Sequence, residues 1–336
     1  MENNSKPVIA ITLGDASGIG SELVAKLLSM NDIGNEAYIV VVGDKWQWEE
    51  GKRIAKVTLE LPEITSFKDI KNHKICFFEL NTLQPHQKEF SVVSKECGES
   101  VLNILSFCMD AAINKEVDAI CFAPLNKYAM KLGGLQFEDE LHYFANYLKV
   151  DNYFCEFNTL GNLWTSRISS HIPLKDAHLY LSKERIKEAS ILIYKALQQA
   201  GFKSPRVAVA AFNPHGGEGG TCGTEEIEII KPAVDEVQKQ GYPIKGPFPA
   251  DTIFLKAKAG EIDAVVTMYH DQGQIAIKLL GFSQGVTIQG GLPIPITTPA
   301  HGTAFDIAGQ GVANVTPMRN AFDIACVMGK NKLIHI

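Results

Sequence analysis

Three histidines stand in polar, turn-like segments just after apolar runs: His171 in Ser169-Ser-His-Ile-Pro-Leu174, His215 in Asn213-Pro-His-Gly-Gly-Glu218 and His270 in Tyr269-His-Asp-Gln-Gly273. Imidazoles converging at the rim of an open α/β sheet would hold a divalent metal and leave positions free for substrate. Their separations match no local metal motif, so ordinary hydrogen bonding or solvent exposure is the competing reading. Lys278 follows His270 on the same segment, and Asp251 closes the turn Gly246-Pro-Phe-Pro-Ala-Asp251. Either could serve as a catalytic acid or base. A helix cap at Asp251 and a solvated charge at Lys278 are the structural alternatives. Glu218, Glu225 and Glu226 read as helix-entry charges.

A second candidate is the loop His301-Gly-Thr-Ala-Phe-Asp-Ile-Ala-Gly-Gln-Gly-Val-Ala-Asn314. Gly302, Gly309 and Gly311 permit close backbone approach, while Asp306 and Asn314 could reach ribose or adenine polar groups. A glycine-containing helix start is the alternative. The N-terminal Gly14-Asp-Ala-Ser-Gly-Ile-Gly20 has the spacing Gly-x-x-x-Gly-x-Gly. That is not the dinucleotide fingerprint, and no Lys-Ser/Thr follows as in a phosphate-binding P-loop.

The elements that must position these residues are visible as apolar runs. Pro7–Thr12, Ala37–Val42, Lys74–Phe78, Ala119–Phe122, Val207–Phe212 and Ala264–Met268 read as strands. They are interleaved with helical stretches at Ser21–Leu28, Glu99–Ile113 and Ile186–Gln199. Val- and Ile-rich strands separated by helices predict an α/β fold with a largely parallel sheet. No repeat or long Gly/Ser linker is present, so lobe boundaries are expected in ordinary loops near Lys127–Phe137 and Phe282–Pro299. The expected division is a cofactor-side lobe of residues 1–130 plus 285–336 and a metal, substrate and dimerisation lobe of residues 131–284.

Composition narrows the function class. The 336 residues are 46% hydrophobic and 21% charged, with a formal net charge of −6. This balance disfavours nucleic acid and anionic lipid and leaves a small-molecule partner. Seven cysteines without a Cys-x-x-Cys pair, and no secretory leader or membrane-length apolar run, predict reduced thiols in a cytoplasmic protein.

Six segments in order carry a family resemblance: Ile11-Thr-Leu-Gly-Asp-Ala-Ser-Gly-Ile-Gly-Ser-Glu22, Ala123-Pro-Leu-Asn-Lys127, Ser170-His-Ile-Pro-Leu174, Asn213-Pro-His-Gly-Gly-Glu218, Gly246-Pro-Phe-Pro-Ala-Asp251 and Tyr269-His-Asp-Gln-Gly273. Together they resemble the 4-hydroxythreonine-4-phosphate dehydrogenase family of vitamin B6 biosynthesis, over about residues 7 to 327. The 301–314 loop is similar to the cofactor loop of isopropylmalate and isocitrate dehydrogenases. The resemblance implies their two-lobed α/β/α sandwich with a cleft between the lobes, and a homodimer whose site the neighbouring subunit completes. It further implies His171, His215 and His270 as ligands of a divalent metal such as Zn, Co, Ni, Mn or Mg. Lys278 and Asp251 become catalytic candidates, and His301, Gly302, Thr303, Ala304, Asp306, Ile307 and Asn314 the cofactor contacts. The implied chemistry is metal-assisted hydride transfer from a β-hydroxy acid to a nicotinamide, followed by decarboxylation. NAD is expected over NADP, because no basic residue in the loop offers a 2′-phosphate partner.

The departures concern phosphate. Members carry Gly-His-Thr-Glu where this chain has Asp139-Glu-Leu-His142, an asparagine where it has Thr287, and an arginine where it has Ile296. Glu140, Leu141, Thr287 and Ile296 are therefore expected to line a substrate pocket stripped of charge-assisted phosphate bonds, each worth roughly 1.5–3 kcal/mol. The expectation is a family relative acting on a substrate that lacks its phosphate or presents it differently. A dihydrodiol-carboxylate dehydrogenase, a genuine 4-hydroxythreonine-4-phosphate dehydrogenase and a non-catalytic ligand-binding relative are the alternatives.

Overall fold

The computed structural model describes residues 6–281 and 284–334. The chain forms two compact units, Met1–Val150 with Leu292–Ile336 and Asp151–Gly291.

The first unit is built on a parallel sheet. Its strands, numbered in chain order, are β1 (Val8–Thr12), β2 (Tyr38–Gly43), β3 (Glu63–Ile64), β4 (Ile75–Glu79), β5 (Ala119–Phe122) and β12 (Ile296–Pro299), in the spatial order β3-β4-β2-β1-β5-β12. All five pairings are parallel. β1 and β5 are buried along their whole length, which accounts for their continuous apolar runs. The helices are α1 (Gly20–Leu28), α2 (Lys45–Ala55), α3 (Lys95–Ile113), α4 (Lys127–Leu132), α5 (Glu140–Tyr147) and α10 (Thr316–Ile334). Ser94 caps α3 by accepting the Cys97 N–H, and Asn126 caps α4 by accepting the Ala129 N–H. The core gathers Val8, Val40, Val42, Ile104, Phe122 and Phe144, each contributing about 1.5–3 kcal/mol by leaving water.

The second unit mixes strand directions. Its strands are β6 (Cys155–Leu160), β7 (Leu163–Arg167), β8 (Val207–Ala210), β9 (Lys245–Phe248), β10 (Ala264–Thr267) and β11 (Val286–Gly290). β6 runs antiparallel to both β11 and β7, whereas β7, β10, β8 and β9 pair in parallel. Helices α6 (Lys183–Gln199), α7 (Lys231–Lys239), α8 (Ala250–Lys258) and α9 (His270–Gly281) accompany them. Their core centres on Leu163, Ala208, Ala210, Ile253, Val265 and Ile277.

The unit boundaries differ from the expected cuts at 130/131 and 284/285. Residues 131–150 belong to the first unit because α5 sends Phe144 against Phe122, with ring centroids 5.9 Å apart. Residues 286–290 belong to the second because β11 pairs with β6 from Val286↔Thr159 to Gly290↔Cys155. Phe282, where the second boundary region was expected to begin, lies outside the described residues.

No helix among the described residues is long and apolar enough to cross a membrane. The seven cysteines are all free thiols. Burial pushes the thiols of Cys108 and Cys121 up to about 12, so neither is a nucleophile at neutral pH.

Candidate active site

The three histidines follow the C-terminal ends of three strands. β7 ends at Arg167 before His171, β8 ends at Ala210 before His215, and β10 ends at Thr267 before His270. Ligands of parallel α/β sheets gather at that rim. The segments leaving β7 and β10 are joined there: the Ile168 N–H donates to Thr267 O at 2.9 Å, and the Ser169 hydroxyl donates to Met268 O at 2.9 Å. These bonds bring the His171 and His270 rings to a centroid separation of 5.7 Å. Both rings face a cavity of about 420 Å³ whose lining includes Ser169, Leu174, Tyr269 and Asp271.

His270 opens α9, and its Nδ1 lies 2.7 Å from Asp271 Oδ1. With Nδ1 engaged, Nε2 is the nitrogen available to a ligand. Gln272 fixes the start of this helix by accepting the Met268 N–H at 2.8 Å and donating to Ala211 O at 2.8 Å.

His215 sits in a turn of unusual hand. His215, Gly216, Gly217, Glu218 and Gly219 all have positive φ, at 54, 68, 79, 44 and 65°. Such a run is strained for His and Glu and persists only when the surroundings enforce it. Glu226 does so: its buried carboxylate accepts the Phe212 and Asn213 N–H groups at 2.7 Å each, and the Asn213 side chain at 2.9 Å. A Cβ on Gly217 would stand 2.7 Å from Glu226 Oε2, so glycine is required there. His215 Nδ1 lies 3.3 Å from Glu218. Within either unit taken alone, and among the described residues, no three His, Cys, Asp or Glu side chains bring ligand atoms within 4.8 Å of one another. The second unit thus pairs His171 with His270 and holds His215 on a separate turn.

The other candidates fall into two groups. Asp251 is an exposed carboxylate in the first turn of α8. Lys278 is exposed on α9, two turns or about 12 Å along the helix from His270. Glu140 is buried in the first turn of α5 with its Oε2 3.5 Å from Lys127 Nζ. Its neighbour Asp139 caps α5. Burial pushes the Asp139 carboxyl up, but the His142 N–H and ring outweigh this and hold it below the usual carboxylate range. Leu141 and Ile296, expected at the substrate pocket, are both buried apolar side chains. Leu141 is only 3% exposed and Ile296 is fully enclosed in the apolar core of the first unit. Thr287 is also buried, its hydroxyl accepting from Asn158 Nδ2 at 3.1 Å.

In the first unit, the 301–314 loop is an irregular segment with one short 3₁₀ turn at Phe305–Ile307. It is not a helix start, because α10 begins later, with the Thr316 N–H donating to the Asn314 side chain. The glycine turn after β1 backs this loop. The Ile19 N–H donates to Thr303 O at 3.1 Å, and a Cβ on Gly18 would lie 2.8 Å from the Thr303 side chain. Glu22, nearly fully buried, accepts the Ala313 N–H at 2.8 Å and Lys26 Nζ at 2.7 Å, and Lys26 also donates to Gly311 and Ala313 carbonyls. His301, Gly302 and Asp306 remain at the surface, and nothing lies within 4 Å of a Cβ placed on Gly302. Asp15, in the same glycine turn, accepts the Ser17 N–H at 2.8 Å, yet burial raises its carboxyl to about 6.

The family model for the pyridoxal phosphate biosynthetic protein PdxA matches residues 35–325. The chain belongs to the PdxA family. The similarity extends over whole chains: a Pseudomonas aeruginosa protein named "Putative 4-hydroxythreonine-4-phosphate dehydrogenase 2" is 47% identical, covering 99% of this chain and 100% of the relative. Among solved structures, 4-hydroxythreonine-4-phosphate dehydrogenase from Klebsiella pneumoniae superimposes with a TM-score of 0.84 at 32% identity, covering 98% of this chain and 99% of that one. Terephthalate 1,2-cis-dihydrodiol dehydrogenase from Burkholderia xenovorans matches with a TM-score of 0.69 at 25% identity, covering 96% and 98%. The PdxA family groups this chain with oxidoreductases acting on CH–OH, on a mixed α/β fold.

Residues that sequence reading passed over now stand out in this PdxA-family chain. Glu226 and Glu22 look like helix-entry charges in sequence, yet both are buried carboxylates that accept backbone N–H groups of candidate site loops. The available signal was position: each begins a helix directly beside a glycine-rich turn.

Proposed function

We propose that this PdxA-family chain is a divalent-metal-dependent, NAD-linked dehydrogenase that oxidises the hydroxyl of a β-hydroxy acid, with decarboxylation, on a substrate whose phosphate is absent or held differently. The observation that carries the reading is the pairing of the His171 and His270 rings, 5.7 Å apart, over one cavity.

The donor set fits a metal. Two imidazoles share a cavity, His270 is oriented by a carboxylate at Nδ1, and His215 is presented on an enforced turn. Such an ion, when bound, would polarise the substrate hydroxyl and carboxylate. His171, His215 and His270 would hold it as neutral imidazoles. The family resemblance implies a homodimer in which a second copy helps complete the site.

The 301–314 loop supports nicotinamide cofactor binding. The glycine turn and Glu22 pin its backbone from behind, and Gly302 leaves room at its surface. Lys26, the cation bound to this loop, is committed to Glu22 and two carbonyls, which favours NAD over NADP. Lys278 on α9 and Asp251 on α8 are exposed and are the groups proposed to exchange a proton with substrate.

On the substrate side, Glu140 places a carboxylate where relatives of this family carry a phosphate-facing histidine, and Ile296 is closed into the core. A carboxylate suits an amine or hydroxyl better than a phosphate. The likeness to the dihydrodiol dehydrogenase shows that the fold carries a dehydrogenase named for an unphosphorylated cyclic substrate. A second reading, activity on 4-hydroxythreonine-4-phosphate, is favoured by the 47% identity to the P. aeruginosa relative.

The test is NAD reduction with a divalent metal on 4-phosphohydroxy-L-threonine, unphosphorylated β-hydroxy acids and a cyclic dihydrodiol carboxylate. Turnover confined to unphosphorylated compounds supports the altered pocket. Efficient turnover of the phosphorylated amino acid overturns it in favour of the second reading. Metal-dependent turnover that survives His270→Ala refutes the metal assignment.

A further inference from the structure

The β6–β7 hairpin carries a buried polar cluster to which the Asn158–Thr287 bond belongs. Its register pairs Asn158 with Thr165 and, across to β11, Asn158 with Thr287. Glu156, Asn158, Thr165, Arg167 and Thr287 therefore share one face, while Phe157 and Trp164 meet on the other with ring centroids 6.1 Å apart. Arg167 spans this face. Its Nη2 donates to Glu156, its Nη1 donates to Asn158 Oδ1 at 2.6 Å, and its Nε donates to Ser170 Oγ at 2.9 Å. Asn158 then donates to Thr287 and accepts from Gln274. Gln274 stands one helical turn from both His270 and Lys278 on α9.

We infer that Arg167 is a positioning residue that sets the His171 loop, α9 and β11 relative to one another. A buried Arg–Glu pair is poor value as a stabiliser, because desolvating both charges offsets their attraction, and apolar residues of similar volume often serve a fold as well. What the guanidinium adds is direction. It is a planar fork whose donors leave along fixed lines, and it links the residue before His171 to the asparagine that binds both α9 and Thr287. The inference rests on the proposed role of His171 as a metal ligand, so its test includes a readout that needs no metal.

The experiment compares wild type with Ser170→Ala, which cuts one bond and leaves the ion pair, and Arg167→Lys, which keeps the charge but cannot reach three acceptors. Histidine-labelled, metal-free protein is read by NMR, and cobalt(II) affinity is measured separately. Displaced His171 ring signals, unchanged His215 signals and an unchanged melting temperature in Ser170→Ala are expected. Cobalt affinity should fall about 10-fold, the usual scale for partners that orient a ligand. His171 signals identical to wild type in Ser170→Ala overturn the inference, whether or not Arg167→Lys folds. If wild type takes up no cobalt, the metal reading fails while the ring signals still decide the positioning role.

Discussion

Asp271 Oδ1 stands 2.7 Å from His270 Nδ1, so the residue that follows this histidine decides which of its nitrogens faces outward. A carboxylate at Nδ1 holds the proton there and leaves the Nε2 lone pair free. Asp271→Ala should weaken divalent metal binding about 10- to 100-fold without unfolding the protein. Calorimetric titration with zinc or cobalt checks this, and unchanged affinity would show that the ring is oriented by something else.

Glu226 should be among the least replaceable carboxylates in the second unit. In Glu226→Gln one oxygen can still accept the Phe212 and Asn213 N–H groups, but the new amide points a donor at the donating Asn213 side chain, now 2.9 Å from Oε2. A loss of about 2 kcal/mol is expected from the broken charge-assisted bond and the opposed donors. Urea denaturation measures it, and a midpoint equal to wild type would refute the bracing role.

Gly18→Ala tests the backing of the 301–314 loop proposed to bind the cofactor. The added methyl would come within 2.8 Å of the Thr303 side chain, and Thr303 or the glycine turn must yield. An increase in KM for NAD on the order of 10-fold is expected, since misplacement by a fraction of an ångström in a positioning element is felt at that scale. Steady-state kinetics at varied NAD distinguishes this from a uniform loss of active protein, which would lower kcat alone.

The buried carboxyl of Asp15 predicts a pH effect on stability. Its folded value of about 6 lies above the unfolded 3.8, so the native state holds this proton more tightly. The resulting stabilisation is complete below pH 4 and is lost as pH rises to about 6, a change on the order of 3 kcal/mol. Asp15→Asn keeps an acceptor for the Ser17 N–H and should flatten that slope, melting higher than wild type at pH 7. Parallel pH profiles for the two proteins would contradict the assignment.

The apolar strands were legible because they are buried on both faces. Ala119–Phe122 is β5 as expected, and the runs at Val207 and Ala264 open β8 and β10. β6, β7 and β11 were not, because one face of each carries Glu156, Asn158, Arg167 or Thr287, and a search for Val and Ile passes over such alternation. The site was legible in part for a related reason. Histidine and glycine announce themselves by type, so the three rim positions could be named. Glu22, Glu226 and Arg167, which hold the neighbouring backbone and side chains, look like surface charge until the tertiary structure buries them. Leu141 and Ile296 could not be placed from sequence for the opposite reason: an apolar residue at either position reads equally as pocket lining or as interior, and both are buried here.

The turn His215–Gly219 has one more consequence, for the order in which the protein is made. Gly216, Gly217 and Gly219 take positive φ readily, but His215 and Glu218 do so at a cost, so an unfolded chain seldom holds all five at once. Glu226 holds the entry to the turn once the strand ending at Ala210 and the helix bearing that carboxylate have come together. His215 is thus expected among the last groups to reach its native place, and the proposed metal site that includes it to be completed only after the second unit is compact.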